Sequence, residues 1–253
     1  MVDDSKQGNL LAKKLGEALI AELWKLEQGV DPDKQRCLQL IADGADVNIK
    51  NIKRSEPVLN IAIRTGQCDV ADMMIQKGAD VNAFCESKIT PLMQACINGH
   101  DRIARTLVEY GADVNAKNFS DYTALMWAID KGHNGIVAFL ADHEKMDIDA
   151  RDDGGDTALM VAAFVCNLFA VKPLVEKGVD VEAVNHDGDT ALAYLTKRRR
   201  GSFLPEERGR YDEVVHFLEQ ALIKSQFKGA AEKGTRHRRK IIRRASPGSP
   251  VEP

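Results

Sequence analysis

Histidines, cysteines and clustered carboxylates are the side chains best able to do chemistry, and this chain carries all three. His100 and His133 each follow a glycine and lie 33 residues apart. An acid–base pair has no reason to recur at a fixed interval, so both are read as turn residues that pack and hydrogen-bond. The cysteines at 37, 68, 85, 96 and 166 are odd in number and form no CxxC pair. That pattern suits a reducing compartment and points away from a disulfide framework or a zinc site. The acid-rich stretch from Asp142 to Asp156 invites a calcium reading. Counted from Asp149, however, the third and twelfth loop positions fall on Arg151 and Met160, which cannot supply the required oxygens. The chain holds no GxSxG, Walker-type, GxGxxG or HExxH motif. Catalytic, cofactor and metal sites are therefore expected to be absent.

Most of these residues belong to a repeat. The phrase Gly-Ala-Asp-Val-Asn stands at 44–48, 78–82 and 111–115, with weaker echoes ending at Asp149 and Glu182. Its aspartates fall at 46, 80, 113, 147 and 180, steps of 33 or 34 residues. A second phrase keeps the same phase: Thr90-Pro91-Leu92-Met93, then the copies that begin at Thr123, Thr157 and Thr190. A period of this length marks a stack of short supersecondary units. In each unit Thr caps a short inner helix, Gly-His turns the chain, and a second helix with apolar spacing follows. Gly-Ala-Asp-Val-Asn ends that helix, because glycine accepts the left-handed backbone found there.

These phrases closely resemble those of the ankyrin-repeat family over residues 8–222. The resemblance implies an all-α ankyrin-repeat solenoid of six helix-turn-helix units joined by hairpin loops, with partners docking on the concave side. It also implies that the histidine of the family's Thr-Pro-Leu-His, which ties one loop to the next, is replaced here by Met93, Met126, Met160 and Ala193. Methionine fills the space without making those bonds.

The expected organisation is an N-terminal extension and capping unit over 1–46, four internal repeats over 47–180, and a C-terminal capping unit over 181–228 with an insertion at 197–210. A tail at 229–253 has no apolar period, which predicts disorder. The first helix carries Leu11, Leu15, Leu19, Leu23 and Leu26 as one stripe, and Asp31-Pro32 are expected to start the second. No apolar run reaches the roughly 20 residues of a membrane helix, and the polar N-terminus has no secretory pattern. The net charge of −3 hides an asymmetry. From Lys224 onward there are nine Lys/Arg against two Glu, whereas the preceding body has 26 basic against 36 acidic residues.

Function must lie where the repeats differ. Four residues after each Thr position stand Ile61, Gln94, Trp127, Val161 and Tyr194; near the end of each inner helix stand Lys131, Phe164 and Arg198 among others; at the hairpin tips stand Phe84, Glu86 and Phe119. These columns are expected to be free of packing demands, and binding hot spots favour aromatics and arginine. The candidates for partner binding are thus Phe84, Glu86, Phe119, Trp127, Lys131, Phe164, Tyr194 and Arg198. Trp127 keeps a second reading, sideways packing on its neighbour, and Tyr122 is read as a loop-packing residue. The usual glycine two residues before Thr is present as Gly155 and Gly188 but is Asp121 and Lys88 in two units. Lysine resists a left-handed backbone, so the 82–90 loop is expected to change shape. In the tail, Arg236–Arg244 and Ser246 admit three readings: a nuclear-import or nucleic-acid segment, a phosphorylation switch at Ser246, or a solvated tail.

The expectation is a monomeric, cytoplasmic, non-catalytic scaffold or adaptor that binds a protein of unknown identity. A regulatory subunit or inhibitor of an enzyme, and a nucleic-acid-associated or nuclear factor acting through the basic tail, are the alternatives. No cofactor and no membrane contact are expected.

Overall fold

The computed structural model describes residues 4–51, 55–198 and 208–227, the side chains of 4–6, 26, 27 and 198 excepted. The described helices pair off along the chain. They are α1 (Asp4–Trp24), α2 (Lys34–Ala42), α3 (Val58–Arg64), α4 (Cys68–Gln76), α5 (Pro91–Asn98), α6 (Asp101–Glu109), α7 (Ala124–Asp130), α8 (Asn134–Ala141), α9 (Ala158–Phe164), α10 (Leu168–Glu176), α11 (Ala191–Arg198) and α12 (208–227). The odd-numbered helices stack on one another as an inner layer, and α2 to α10 stack as an outer layer. This is an all-α solenoid. Strand structure among the described residues is limited to β1 (Lys50–Asn51) paired antiparallel with β2 (Glu56–Pro57), plus single bridges at Lys117–Thr123 and Arg151–Thr157.

Local chemistry starts each inner helix. The hydroxyls of Thr90, Thr123 and Thr157 accept from the amides of Met93, Met126 and Met160, each at 3.3 Å. Those methionines are at most 1% exposed, so the apolar replacement of the family histidine is complete in three units. The unit with α3 differs. Asn60 occupies the same position and donates to the Ile89 carbonyl at 2.9 Å, tying its helix to the next loop. Leu92, Leu125 and Leu159 beneath the caps are buried between neighbouring units, as are Ile103, Leu107, Ile136 and Leu140 from the outer helices.

The Gly-Ala-Asp-Val-Asn phrases act as clasps. Asn82 donates to the Gly111 carbonyl (3.1 Å) and accepts from the Asp113 amide (2.8 Å). Asn48 and Asn115 do the same one unit before and after. Asp149 replaces asparagine at the next joint; it accepts from the Asp180 amide at 3.1 Å, but a carboxylate has no N–H to give back. The histidines are also joints. Nε2 of His100 lies 3.0 Å from the Ile63 carbonyl, and that of His133 lies 3.2 Å from the Ile97 carbonyl. A carbonyl only accepts, so both rings donate from Nε2.

Four expectations need correction. Leu11 is 57% exposed and is not part of the packed stripe. Leu15, Leu19 and Leu23 pack inward together with Gly16, where an added Cβ would come within 2.8 Å of the Asp46 carbonyl. Helix α2 is capped by Asp33, whose side chain accepts from the Arg36 amide; Asp31 and Pro32 precede the cap. The inner-helix column is also not free of packing, since Ile61, Gln94 and Val161 are buried. Finally, the 82–90 loop keeps the common shape. Lys88 takes φ 56, close to φ 54 at Asp121, and its amide bonds the Cys85 carbonyl just as Asp121 bonds Asn118. Tertiary context therefore overrides the local preference, at a cost of about 1–2 kcal/mol. Lys88→Gly is expected to raise the denaturation midpoint, with a gain of up to about 1 kcal/mol. A midpoint that falls would show that Lys88 is not held under strain.

Candidate protein-binding face

The candidates occupy two distinct surfaces. At the hairpin tips, Phe119 is 68% and Phe84 50% exposed, each beneath a lysine of the preceding hairpin. The Lys50 ammonium lies 5.4 Å from the Phe84 ring centre, and Lys88 lies 5.0 Å from that of Phe119. Lys50 also donates to the Phe84 carbonyl, Lys117 to that of Arg151, and Arg151 to that of Val184. Phe84 stands in the column of these cations, so the ladder lacks a rung there. Glu86 is exposed on the same edge. Phe84, Phe119 and Trp127 make no ring contact with one another.

The second surface lies on the inner helices of the C-terminal half. Trp127 meets Tyr122 edge-on at 4.9 Å between ring centres, and Phe164 stacks on Tyr194 at 5.3 Å. All four are at least partly exposed, although the residues flanking Trp127 in its column, Gln94 and Val161, are buried. The ammonium of Lys131 lies 5.5 Å from the Trp127 ring centre and is paired with Asp130 at 2.9 Å. The edge of Trp127 packs on Tyr122, and its Nε1 is buried without an acceptor among the described residues. Tyr122, read from sequence as loop packing alone, is a member of this surface.

Carboxylates surround the rings. Asp156 accepts from the Asn185 amide (2.7 Å) and shares a hydrogen bond with the Tyr194 hydroxyl. Burial first, then the fields of Asp130, Asp152 and Asp156, push the Tyr122 phenol well above its ordinary range. Burial and Asp156 push Tyr194 up to about 12. Asp152, which accepts from the amides of Gly154 and Asp156, is itself shifted upward, first by burial and then by Asp156 and Asp153. Sequence reading passed over Asp152 and Asp156 because the acidic stretch that holds both was weighed only as a calcium loop. Their spacing before Thr157 was the available signal.

No group of three or more His, Cys, Asp or Glu among the described residues is placed to hold a metal, and no described helix is long and apolar enough to cross a membrane. None of the five cysteines, all of them described, is in a disulfide. Arg198 ends α11, but its side chain and that of Leu26 are not described, and most of the 197–210 insertion and the tail with Ser246 lie outside the described residues.

A family model described as ankyrin repeats (3 copies) matches residues 28–118 and 117–185. The chain belongs to the ankyrin-repeat family. Ankyrin repeats generally serve as protein–protein interaction modules and are typically non-catalytic. The matched span stops short of α1, α11 and α12, so the ankyrin stack gains a 21-residue helix at one end and a further pair at the other. The paired aromatics straddle the end of the match: Tyr122, Trp127 and Phe164 lie inside it and Tyr194 beyond it.

Proposed function

We propose that the chain is a non-catalytic adaptor that docks a protein partner on the inner surface of its C-terminal half, centred on Tyr122, Trp127, Phe164 and Tyr194. The observation that carries this reading is the column that Trp127 and Tyr194 share: both are partly exposed there, whereas Ile61, Gln94 and Val161 of the other repeats are buried, and each of the two rings is paired with a second aromatic. Aromatic rings offer large contact area with few rotatable bonds, and hot spots concentrate on them. The rigid helix stack supports the reading, because a surface already ordered loses little entropy on docking. The lysine-capped phenylalanines of the hairpin tips form a second contact region. The role is that of a monomeric scaffold, and the cysteines, none of them in a disulfide, support a place inside the cell.

Affinity capture with the wild type, a Trp127→Ala/Tyr194→Ala variant and a Phe84→Ala/Phe119→Ala variant tests the assignment. The expected result is a partner lost from the first variant and retained by the second, with both variants showing wild-type helical signal. Loss only from the second moves the site to the hairpin tips, and retention by both removes the proposal. Assaying the captured partner with and without this chain separates an adaptor from an inhibitor.

A further inference from the structure

Among the described side chains, the aromatic surface carries more negative charge than its cations balance. Lys131 is paired with Asp130, and Lys197 with Asp189. Arg151 is committed to the Gly155 and Val184 carbonyls. Among the described residues, Asp152, Asp153, Asp156 and Asp187 are left without an ion pair. Of these, Asp152 and Asp156 are half-buried beside the rings. Elsewhere on the hairpin edge Lys50 and Lys88 stand exposed on the two preceding hairpins, and Lys117, on the hairpin that leads to Tyr122, lies 4.0 Å from Asp121. The acid is thus concentrated where the paired aromatics are.

We propose that this surface binds an arginine-bearing segment of a separate protein, its guanidinium groups stacking on Tyr194 or Trp127 and pairing with Asp156 and Asp152. The inference rests on the concave-face reading above and names the chemistry of its partner. A guanidinium is planar and weakly hydrated, so it lies flat on a ring while its edge forms paired hydrogen bonds to a carboxylate. Rings set beside half-buried carboxylates satisfy both demands at once; a lysine ammonium meets only the charge. Cation–ring attraction also grows when water is excluded, as it is for side chains already partly buried. Asp152 is raised by burial first and by the charges of Asp156 and Asp153 after it, and an incoming cation would offset only the second cause. The buried Trp127 Nε1, left without an acceptor, adds a polar demand that a carbonyl of the bound segment meets if the indole turns outward.

The chain's own basic stretch from Arg236 to Arg244 has the same chemistry, so the test must separate the two sources. Calorimetry would use the full chain and three decapeptides of alternating Arg-Ser, Lys-Ser and Gln-Ser. The arginine peptide is expected to bind at least tenfold more tightly than the lysine peptide, with no binding of the glutamine peptide and weakening as salt rises. Asp152→Asn/Asp156→Asn keeps the acceptor oxygens for Gly154, Asp156 and Asn185, and should weaken the arginine peptide at least tenfold. Equal affinity for all three peptides, or an unaffected Asn variant, overturns the assignment. If the Asn variant still captures the partner that Trp127→Ala/Tyr194→Ala loses, the concave reading survives and the arginine proposal falls. If neither variant loses a partner or a peptide, both fall. A last arm replaces Arg236, Arg238, Arg239, Arg243 and Arg244 by Gln in the full chain. Peptide binding that appears only there makes the tail the occupant and overturns the separate partner.

Discussion

Replacement of Leu125 by alanine is expected to lower the free energy of unfolding by about 2–5 kcal/mol. Leu125 sits in α7, is 1% exposed, and belongs to the continuous core between its unit and both neighbours. Truncation removes apolar contacts and leaves a cavity that rigid flanking helices cannot close. In a stack held by nearest-neighbour contacts, a central defect weakens two interfaces, whereas an end defect weakens one. Leu195→Ala, in the terminal inner helix α11, is therefore expected to shift the midpoint less than Leu125→Ala. Urea denaturation followed by helical signal measures both. A larger loss at Leu195 would show that the ends, rather than the centre, set the cooperativity.

Gly99→Ala is the second large effect, and Gly132→Ala is its control. Both glycines turn the chain between the helices of a unit, and both have φ +75. Around Gly132 there is nothing within 4 Å of an added Cβ, so its substitution should cost only the left-handed conformation, about 1–2 kcal/mol. At Gly99 the new Cβ would stand 2.5 Å from Cε1 and 2.6 Å from Nδ1 of His133. The imidazole must then move and surrender its bond to the Ile97 carbonyl, adding about 1 kcal/mol or more. The expected order of midpoints is wild type, then Gly132→Ala, then Gly99→Ala. A double-mutant cycle with His133→Ala isolates the clash. Equal destabilisation by the two glycine substitutions would mean that His133 yields without cost.

The pair also shows why the fold was so legible. Glycine at a turn, histidine after it and threonine at a cap are local demands of backbone geometry, and they recur because the geometry recurs. His100 and His133 could be removed from catalysis by period alone, and the structure puts both on inter-unit carbonyls. Readings that depended on neighbours in space fared less well. Lys88 holds a left-handed turn because adjoining units fix the loop. Leu11 continues the spacing of its helix but lies 57% exposed, and no count along one helix shows where a neighbour ends. The candidate surface was half visible. Trp127, Phe164 and Tyr194 stood out as large residues in variable columns. The stacking of Phe164 on Tyr194 and the place of Asp156 beside Tyr194 depended on contacts between units, which a repeat alignment treats as equivalent and does not resolve.

The clasp at Asp149 has a mechanical consequence. Three successive joints are two-handed, each asparagine giving one hydrogen bond and taking another, whereas the fourth can only take. Pulled from its two ends, such a rod would not part at random. It would open where Asp149, after α8, meets Asp180, after α10, parting α9 to α12 with Phe164 and Tyr194 from Tyr122 and Trp127. The seam would split the aromatic surface in two, so a partner spanning both halves would rivet the weakest joint of the rod.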